Sequence, residues 1–217
     1  MVPIGGQPLL YYWLKALLDN SSTFCLDRVI VNTHYLPEQV VAFVKSSQWV
    51  DKVELSYEET LLGTAGTLRL HREYFGDEPF ILAHADNLSI FSLLEFQNAF
   101  LNRPEGCLGT MMTFQTDQPS ECGIVEQNDQ GVVVGYHEKV RNPQGNRANA
   151  AVFIFDSHIH DILHSHVNDI DLCGQTVPRL IGRLNTYHNS EYHRDIGTPH
   201  SYDAAVAAVT SGLIRIV

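Results

Sequence analysis

Two short stretches of this chain hold residue types suited to phosphates and a cation. The first is Leu62-Gly63-Thr64-Ala65-Gly66. Glycines at a loop-to-helix junction let a ligand come close to the backbone and offer it free N–H groups. The second is Asp86, which follows the apolar run Phe80-Ile81-Leu82-Ala83. A carboxylate just past a buried strand is a natural ligand for a hard cation such as Mg²⁺. In open α/β sheets, ligands sit outside the carboxyl ends of the strands. Each piece alone is also ordinary: Gly-Thr-Ala-Gly starts many helices, and an Asp after a strand is commonly a turn residue or a helix cap.

Two further groups invite a chemical reading. His158, His160, His164 and His166 cluster in sequence, and His160 and His164 have the i, i+4 spacing that can bind zinc on a helix. The Glu of the metalloprotease motif is absent, and a solvated helix face is the reading we adopt. Tyr11, Tyr12 and Trp13 offer a stacking surface, but core packing of the first helix accounts for them.

The elements that must position these residues follow from periodicity. Val53, Leu55 and Tyr57 alternate with polar residues and predict a strand; Thr64 is expected to cap a helix reaching about Tyr74, with Leu68 buried. Phe80 to Ala83 reads as a strand buried on both faces. Met1 to Pro8 reads as loop. Leu9 to Leu18 predicts a helix, Arg28 to Val31 a strand, and Pro37 opens a helix with Val40, Val41 and Val44 on one face. Phe91 to Leu101 predicts a helix and Leu108 to Phe114 a strand. Alternation of this kind argues for a three-layer α/β sandwich with a mixed, mostly parallel sheet. Gly123 to Glu126 and Val132 to Tyr136 then read as a hairpin around Asn128-Asp129-Gln130-Gly131. Ala150 to Phe155 and Leu184 to His188 read as strands. Asp156 to His164 and Thr176 to Arg183 read as helices, and Thr198-Pro199 opens a last helix running through Val209.

Composition sets the outer bounds. The chain has 217 residues, 44% of them hydrophobic and 18% charged, which suits one globular α/β domain over 1–217. A formal net charge of −11 argues against non-specific binding to nucleic acid or to an anionic membrane. No apolar run approaches the roughly 18 residues of a membrane span. Cys25, Cys107, Cys122 and Cys173 match no zinc or redox spacing, so reduced thiols and a cytoplasmic location are the expectation.

Several segments in one order resemble the sugar-1-phosphate nucleotidyltransferases, the pyrophosphorylases that make nucleotide sugars. They are Val2-Pro3-Ile4-Gly5-Gly6-Gln7-Pro8-Leu9, Val29-Ile30-Val31-Asn32, Tyr57-Glu58 with Leu62 to Gly66, Phe80 to Asp86, Cys122-Gly123-Ile124-Val125, Glu138-Lys139, Asn149-Ala150-Ala151 and Asp195-Ile196-Gly197-Thr198-Pro199. Asn32-Thr33-His34-Tyr35, His84-Ala85-Asp86-Asn87, Met111 to Phe114 and Tyr192-His193-Arg194-Asp195 look like heptose-1-phosphate and mannose-1-phosphate guanylyltransferases within that group.

The resemblance implies a Rossmann-like fold and transfer of a nucleoside monophosphate from a nucleoside triphosphate, GTP in the guanylyl branch, to a sugar 1-phosphate. It implies Mg²⁺ held by Asp86 and Asp195, with Asp86 and Lys139 as catalytic groups and Lys139 facing the sugar phosphate. Glu58, Gly63 and Thr64 match the nucleotide-binding positions; Gly123, Glu138 and Asn149 match the sugar-binding ones. A homodimer is a further expectation.

The chain departs from the family's pattern at its start. The family's first strand and its Gly-x-Gly-Thr-Arg loop, which cradles the triphosphate, have no counterpart here, so the chain alone is expected to turn over weakly or not at all. A family member that holds a sugar nucleotide or a partner without turnover is the alternative. Strands Arg28–Val31 and Phe80–Ala83 would flank the missing strand. Three outcomes are expected to be acceptable there: the two pair directly, a second chain donates a strand, or residues upstream of Met1 supply it. Val140 and Ala151 replace the family's Pro and Gly, and the methyl of Ala151 is expected to crowd the sugar.

Overall fold

The computed structural model describes residues 1–19 and 26–214; Cys25 lies outside them. In chain order the strands are β1 (Pro3–Ile4), β2 (Gln7–Pro8), β3 (Val29–Thr33), β4 (Val53–Tyr57), β5 (Phe80–Ala83), β6 (Asn87–Ile90), β7 (Gly109–Gln115), β8 (Gly123–Gln127), β9 (Val133–Glu138), β10 (Arg147–Phe155), β11 (Leu184–His188) and β12 (Tyr192–Asp195). The α-helices are α1 (Leu9–Leu18), α2 (Pro37–Ser46), α3 (Gly63–Leu70), α4 (Arg72–Phe75), α5 (Leu93–Leu101), α6 (Ile159–Ser165) and α7 (Pro199–Thr210). They fall into two compact units: Met1–Leu61 with Ala85–Leu94 and Glu191–Val217, and Leu62–His84 with Glu95–Ser190.

The first unit opens with a tight hairpin where a loop was expected. Gly5 (φ 56°) and Gly6 (φ 86°) both take positive φ, the requirement of a type I′ turn, and Pro3 pairs with Pro8. The hairpin is anchored because Ile4 is fully buried in a core with Leu9, Tyr12, Leu88, Ile196 and Ala205. Tyr12 donates its hydroxyl hydrogen to the Ile4 carbonyl. Trp13 is 4% exposed and donates Nε1–H to the Asn87 carbonyl at 2.8 Å, so these aromatics are core, as expected. β3 and β4 pair in parallel. β6 and β12, two strands that periodicity did not reveal, pair antiparallel. α7 begins as expected: the Thr198 hydroxyl accepts from Ser201 N–H at 3.2 Å, and Pro199 follows.

The second unit is built on a six-stranded mixed sheet in the order β11-β7-β10-β8-β9, with β5 also paired to β10. Within it β7 and β11 run parallel and the other pairs are antiparallel. Its core includes Phe80, Met111, Phe153, Phe155, Leu172 and Leu180. The expected helix over Thr176–Arg183 is instead a π turn, Leu172–Thr176, running into a 3₁₀ turn, Val177–Leu180. Asp171 caps the first, accepting from Cys173 and Gly174 N–H; Pro178 lacks the N–H a longer helix needs. His160 is not on a solvated face. It is 6% exposed, with its ring stacked on Phe75 and Phe80, whereas His164 is exposed.

Of the three outcomes for the family's first strand, direct pairing of its expected neighbours does not occur among the described residues. β3 hydrogen-bonds to β4 and β5 to β10, each inside its own unit.

Candidate active site

The β8–β9 hairpin places Gly123 opposite Glu138. Two residues apart on β9, Tyr136 and Glu138 share a face. Tyr136 donates its hydroxyl hydrogen to Glu138 Oε2 at 2.5 Å and accepts from Asn149 Nδ2 at 3.2 Å. Asn149 Nδ2 also reaches Cys173 Sγ at 3.4 Å, and Asn149 Oδ1 accepts from Ala151 N–H at 2.9 Å. Three residues expected from sequence, Gly123, Glu138 and Asn149, therefore come together, and Tyr136 and Cys173 join them. Gly123 is a glycine for a packing reason. A Cβ there would lie 2.2 Å from Tyr136 Oη and 2.5 Å from Glu138 Oε2.

Charge state follows from this packing. Burial first, then Cys173 and Glu138, push the Tyr136 phenol well above its usual value, against a smaller opposing effect of Asn149. Burial first, then Glu138 and Asp171, push the Cys173 thiol up to about 12, while Asn149 and Lys139 act the other way. Both groups are neutral at physiological pH. Lys139 is exposed, follows β9 in the left-handed region (φ 48°), and donates its N–H to the Cys122 carbonyl at 3.1 Å.

Ala151 also takes a left-handed conformation, φ 52°, inside the β10 bulge between Asn149 and Phe153. That region favours glycine. Its carbonyl accepts from His84 N–H at 3.1 Å.

Gly63 and Thr64 stand at the start of α3, where their contacts are with the loop at 170–172. Gly63 has φ 71°, and a Cβ there would lie 2.3 Å from the Ile170 carbonyl oxygen. Ala65 donates its N–H to that carbonyl at 3.0 Å, so this amide of the glycine junction is not left for a ligand. Thr64 does not cap the helix; its Oγ1 accepts from Leu172 N–H at 2.8 Å. α3 ends at Leu70, and a separate short helix, α4, follows. Through Leu172 and Cys173 this helix start is joined to Asn149.

The remaining expected residues lie in the first unit. Ile196 donates its N–H to the Asp86 carbonyl at 3.1 Å, one step past the Asp195–Asn87 pair of the β6–β12 ladder. The backbones of Asp86 and Asp195 thus run side by side, and both residues are exposed. Asp195 Oδ1 accepts from Gly197 N–H at 2.7 Å. Glu58 sits just past β4, 3% exposed, its N–H bonded to the Thr33 carbonyl at 2.9 Å and its carbonyl to His34 Nδ1 at 2.8 Å.

Asp86 and Asp195 are both exposed and their backbones adjoin; exposed carboxylates are the ligand type of a hard divalent ion such as Mg²⁺, which binds through one or two of them and keeps waters or phosphates at its other positions. Among the described residues no group of three or more His, Cys, Asp or Glu is placed to hold a metal. Nor, among them, is any helix long and apolar enough to cross a membrane.

This mixed α/β fold carries exposed carboxylates at a strand end and a polar cluster on a β-hairpin. The chain belongs to the nucleotidyl transferase family, whose model matches residues 1–212. It is 25% identical over 210 residues to a mannose-1-phosphate guanyltransferase of Candida albicans, and 26% identical over 210 residues to mannose-1-phosphate guanylyltransferase 1 of Arabidopsis thaliana. Each match covers 93% of this chain and 56% of the relative, so the chain spans little more than half the length of these curated proteins. In fold it is similar to a putative glucose-1-phosphate thymidylyltransferase from Bacillus anthracis (TM-score 0.78, 20% identity, 100% of this chain and 87% of that one). It is also similar to HddC from Yersinia pseudotuberculosis (TM-score 0.77, 22% identity, 95% and 87%).

Sequence reasoning missed Tyr136 and Cys173. The signal for Tyr136 was present: it lies two residues before Glu138 on a strand, hence on the same face. Cys173 had none, because a turn rather than a spacing brings it to Asn149.

Proposed function

We propose that this protein transfers a nucleoside monophosphate, GMP from GTP, to a sugar 1-phosphate of the mannose or heptose type, with 1–217 acting as one catalytic domain. The observation that carries the reading is the β6–β12 ladder, which sets Asp86 beside Asp195. The relatives that act on mannose 1-phosphate support the choice of substrates.

In the reaction an oxygen of the sugar phosphate attacks the α-phosphorus in line. One P–O bond forms there, the bond to the β-phosphate oxygen breaks, and pyrophosphate leaves. Both reactants are anions, so positioning and charge neutralisation account for most of the catalysis. Asp86 and Asp195 would hold Mg²⁺, which neutralises phosphate charge when bound. Lys139 pairs with the sugar phosphate as a compact point charge. Glu58 accepts from guanine N1–H and N2–H₂; Gly63 and Thr64 border the nucleotide at the helix start, and the Thr64 hydroxyl hydrogen remains to donate. Glu138 and Asn149 accept from sugar hydroxyls beside Gly123. In this reading Ala151 adds a methyl next to that group.

Pyrophosphate release from the 217-residue chain, with GTP, Mg²⁺ and mannose 1-phosphate, tests the proposal. Weak, metal-dependent release or none is expected from this chain alone, so binding of GTP and of mannose 1-phosphate in the presence of Mg²⁺ is measured beside it by calorimetry. A chain that binds neither GTP nor any hexose or heptose 1-phosphate rejects the proposal.

A further inference from the structure

Resting on the transferase reading above, we infer that Tyr136 is a positioning residue that locks Glu138 and Asn149 into one arrangement presenting hydrogen-bond acceptors to the sugar. The direction of the hydrogen bonds carries the argument. A phenol has a single hydrogen. Here it goes to Glu138 Oε2 at 2.5 Å, so toward Asn149 the same oxygen can only accept. The amide must therefore turn its Nδ2 group to Tyr136, at 3.2 Å, and its other Nδ2 hydrogen reaches Cys173 Sγ at 3.4 Å. The opposite end is held as well, because Asn149 Oδ1 accepts from Ala151 N–H at 2.9 Å. The amide is thus fixed end for end by partners on three sides.

The phenol is itself immobile. Tyr136 is 9% exposed and packs in the core with Val125, Phe153 and Leu172. Room for its hydroxyl exists because residue 123 has no side chain.

The remaining capacity of the trio has one sign. Glu138 Oε1 and the second lone pair of Asn149 Oδ1 are acceptors, and both Asn149 hydrogens are already committed. Such a pair selects a ligand rich in hydroxyl donors. Without the phenolic hydrogen, Glu138 loses a charge-assisted bond that fixes its carboxylate, and Asn149 loses the acceptor that sets its orientation.

The test is Tyr136→Phe in the whole 217-residue chain. Dissociation constants for mannose 1-phosphate, glucose 1-phosphate and GTP with Mg²⁺ are measured by calorimetry, beside the thermal midpoint. Binding of the sugar phosphate that the wild type prefers should weaken about tenfold or more, while GTP binding changes by less than about twofold. Adding Tyr136→Phe to the double variant Glu138→Gln, Asn149→Ala should weaken any remaining sugar-phosphate binding by less than about twofold, since the tyrosine acts through those two side chains. Unchanged sugar-phosphate binding, or equal weakening of both ligands in step with a lowered midpoint, overturns the positioning role alone. A wild-type chain that binds neither GTP nor a sugar phosphate overturns the transferase reading, and this inference with it.

Discussion

Ile196 hands its backbone N–H to the carbonyl of Asp86, closing the β6–β12 ladder one step beyond Asp195. Residues far apart in sequence are held there by main-chain bonds, which do not depend on either carboxylate. Asp86→Asn and Asp195→Asn should therefore each leave the fold intact and lower turnover roughly 10²-fold or more. A magnesium titration of the rate checks this, with a thermal midpoint near that of the wild type as control. Wild-type turnover in either variant would reject a shared metal role.

Gly63 should tolerate no side chain. Its φ of 71° opposes one, and so does the Ile170 carbonyl oxygen, 2.3 Å from where the first side-chain carbon would stand. Gly63→Ala is expected to cost about 2–4 kcal/mol of stability, read from urea denaturation. A loss below about 0.5 kcal/mol would mean that the helix start shifts freely away from the 170–172 loop.

At Ala151 the expectation has the opposite sign. The residue holds φ 52° in the β10 bulge, where glycine fits without strain. Ala151→Gly should gain roughly 0.5–1 kcal/mol, the relief of left-handed strain less the extra freedom of glycine in the unfolded chain. Denaturant midpoints decide it, and a lower midpoint for the glycine variant is the contrary result.

Acid should destabilise the protein in two stages. Burial, reinforced by Arg72 and only partly offset by Asp161, lowers His160 to about 4; burial lowers His193 to about 3. Both histidines bind protons more readily when unfolded, so their stabilising effect is full above about pH 6.5 and is lost as pH falls toward about 4 and then 3. At Asp156 burial acts upward but hydrogen bonds from His158 outweigh it, and at Asp169 the hydrogen bond from Arg179 leads; both carboxyls lie below 3.8 in the fold, and their stabilising effect is lost as pH falls below 3.8. His160→Phe should flatten stability between about pH 6.5 and 4. An unchanged slope there would show that His160 is not the titrating group.

Periodicity exposed most of the elements. α1, β4, β5 and β11 lie where apolar spacing put them. It failed where polar side chains are buried or apolar runs are too short. β6 hides because Asn87 and Ser89 occupy its buried positions, and β12 because His193, Arg194 and Asp195 read as loop. The β1–β2 hairpin has two residues per strand, too few for any period. At the site, motif resemblance indicated Gly123, Glu138 and Asn149 individually. That Tyr136 ties them together needs the third dimension, as does the engagement of Thr64 by Leu172.

β10 has β7 along one edge, while the other is divided: β8 meets it at Ala148, and β5 takes over from Val152 to Phe155. The bulge at Ala151 is where the strand changes neighbours. β8 and β9 are joined locally, but β5 and β7 must be brought from far upstream, at the entropy cost of closing long loops. Folding should then run from the hairpin outward, with β10 joining late. In pulse-labelled hydrogen exchange, amides of β8 and β9 should gain protection before those of β5 and β10. Asn149 stands on that late strand, so the cluster around Tyr136 is completed only as the sheet itself is completed, leaving no half-formed sheet with a finished cluster.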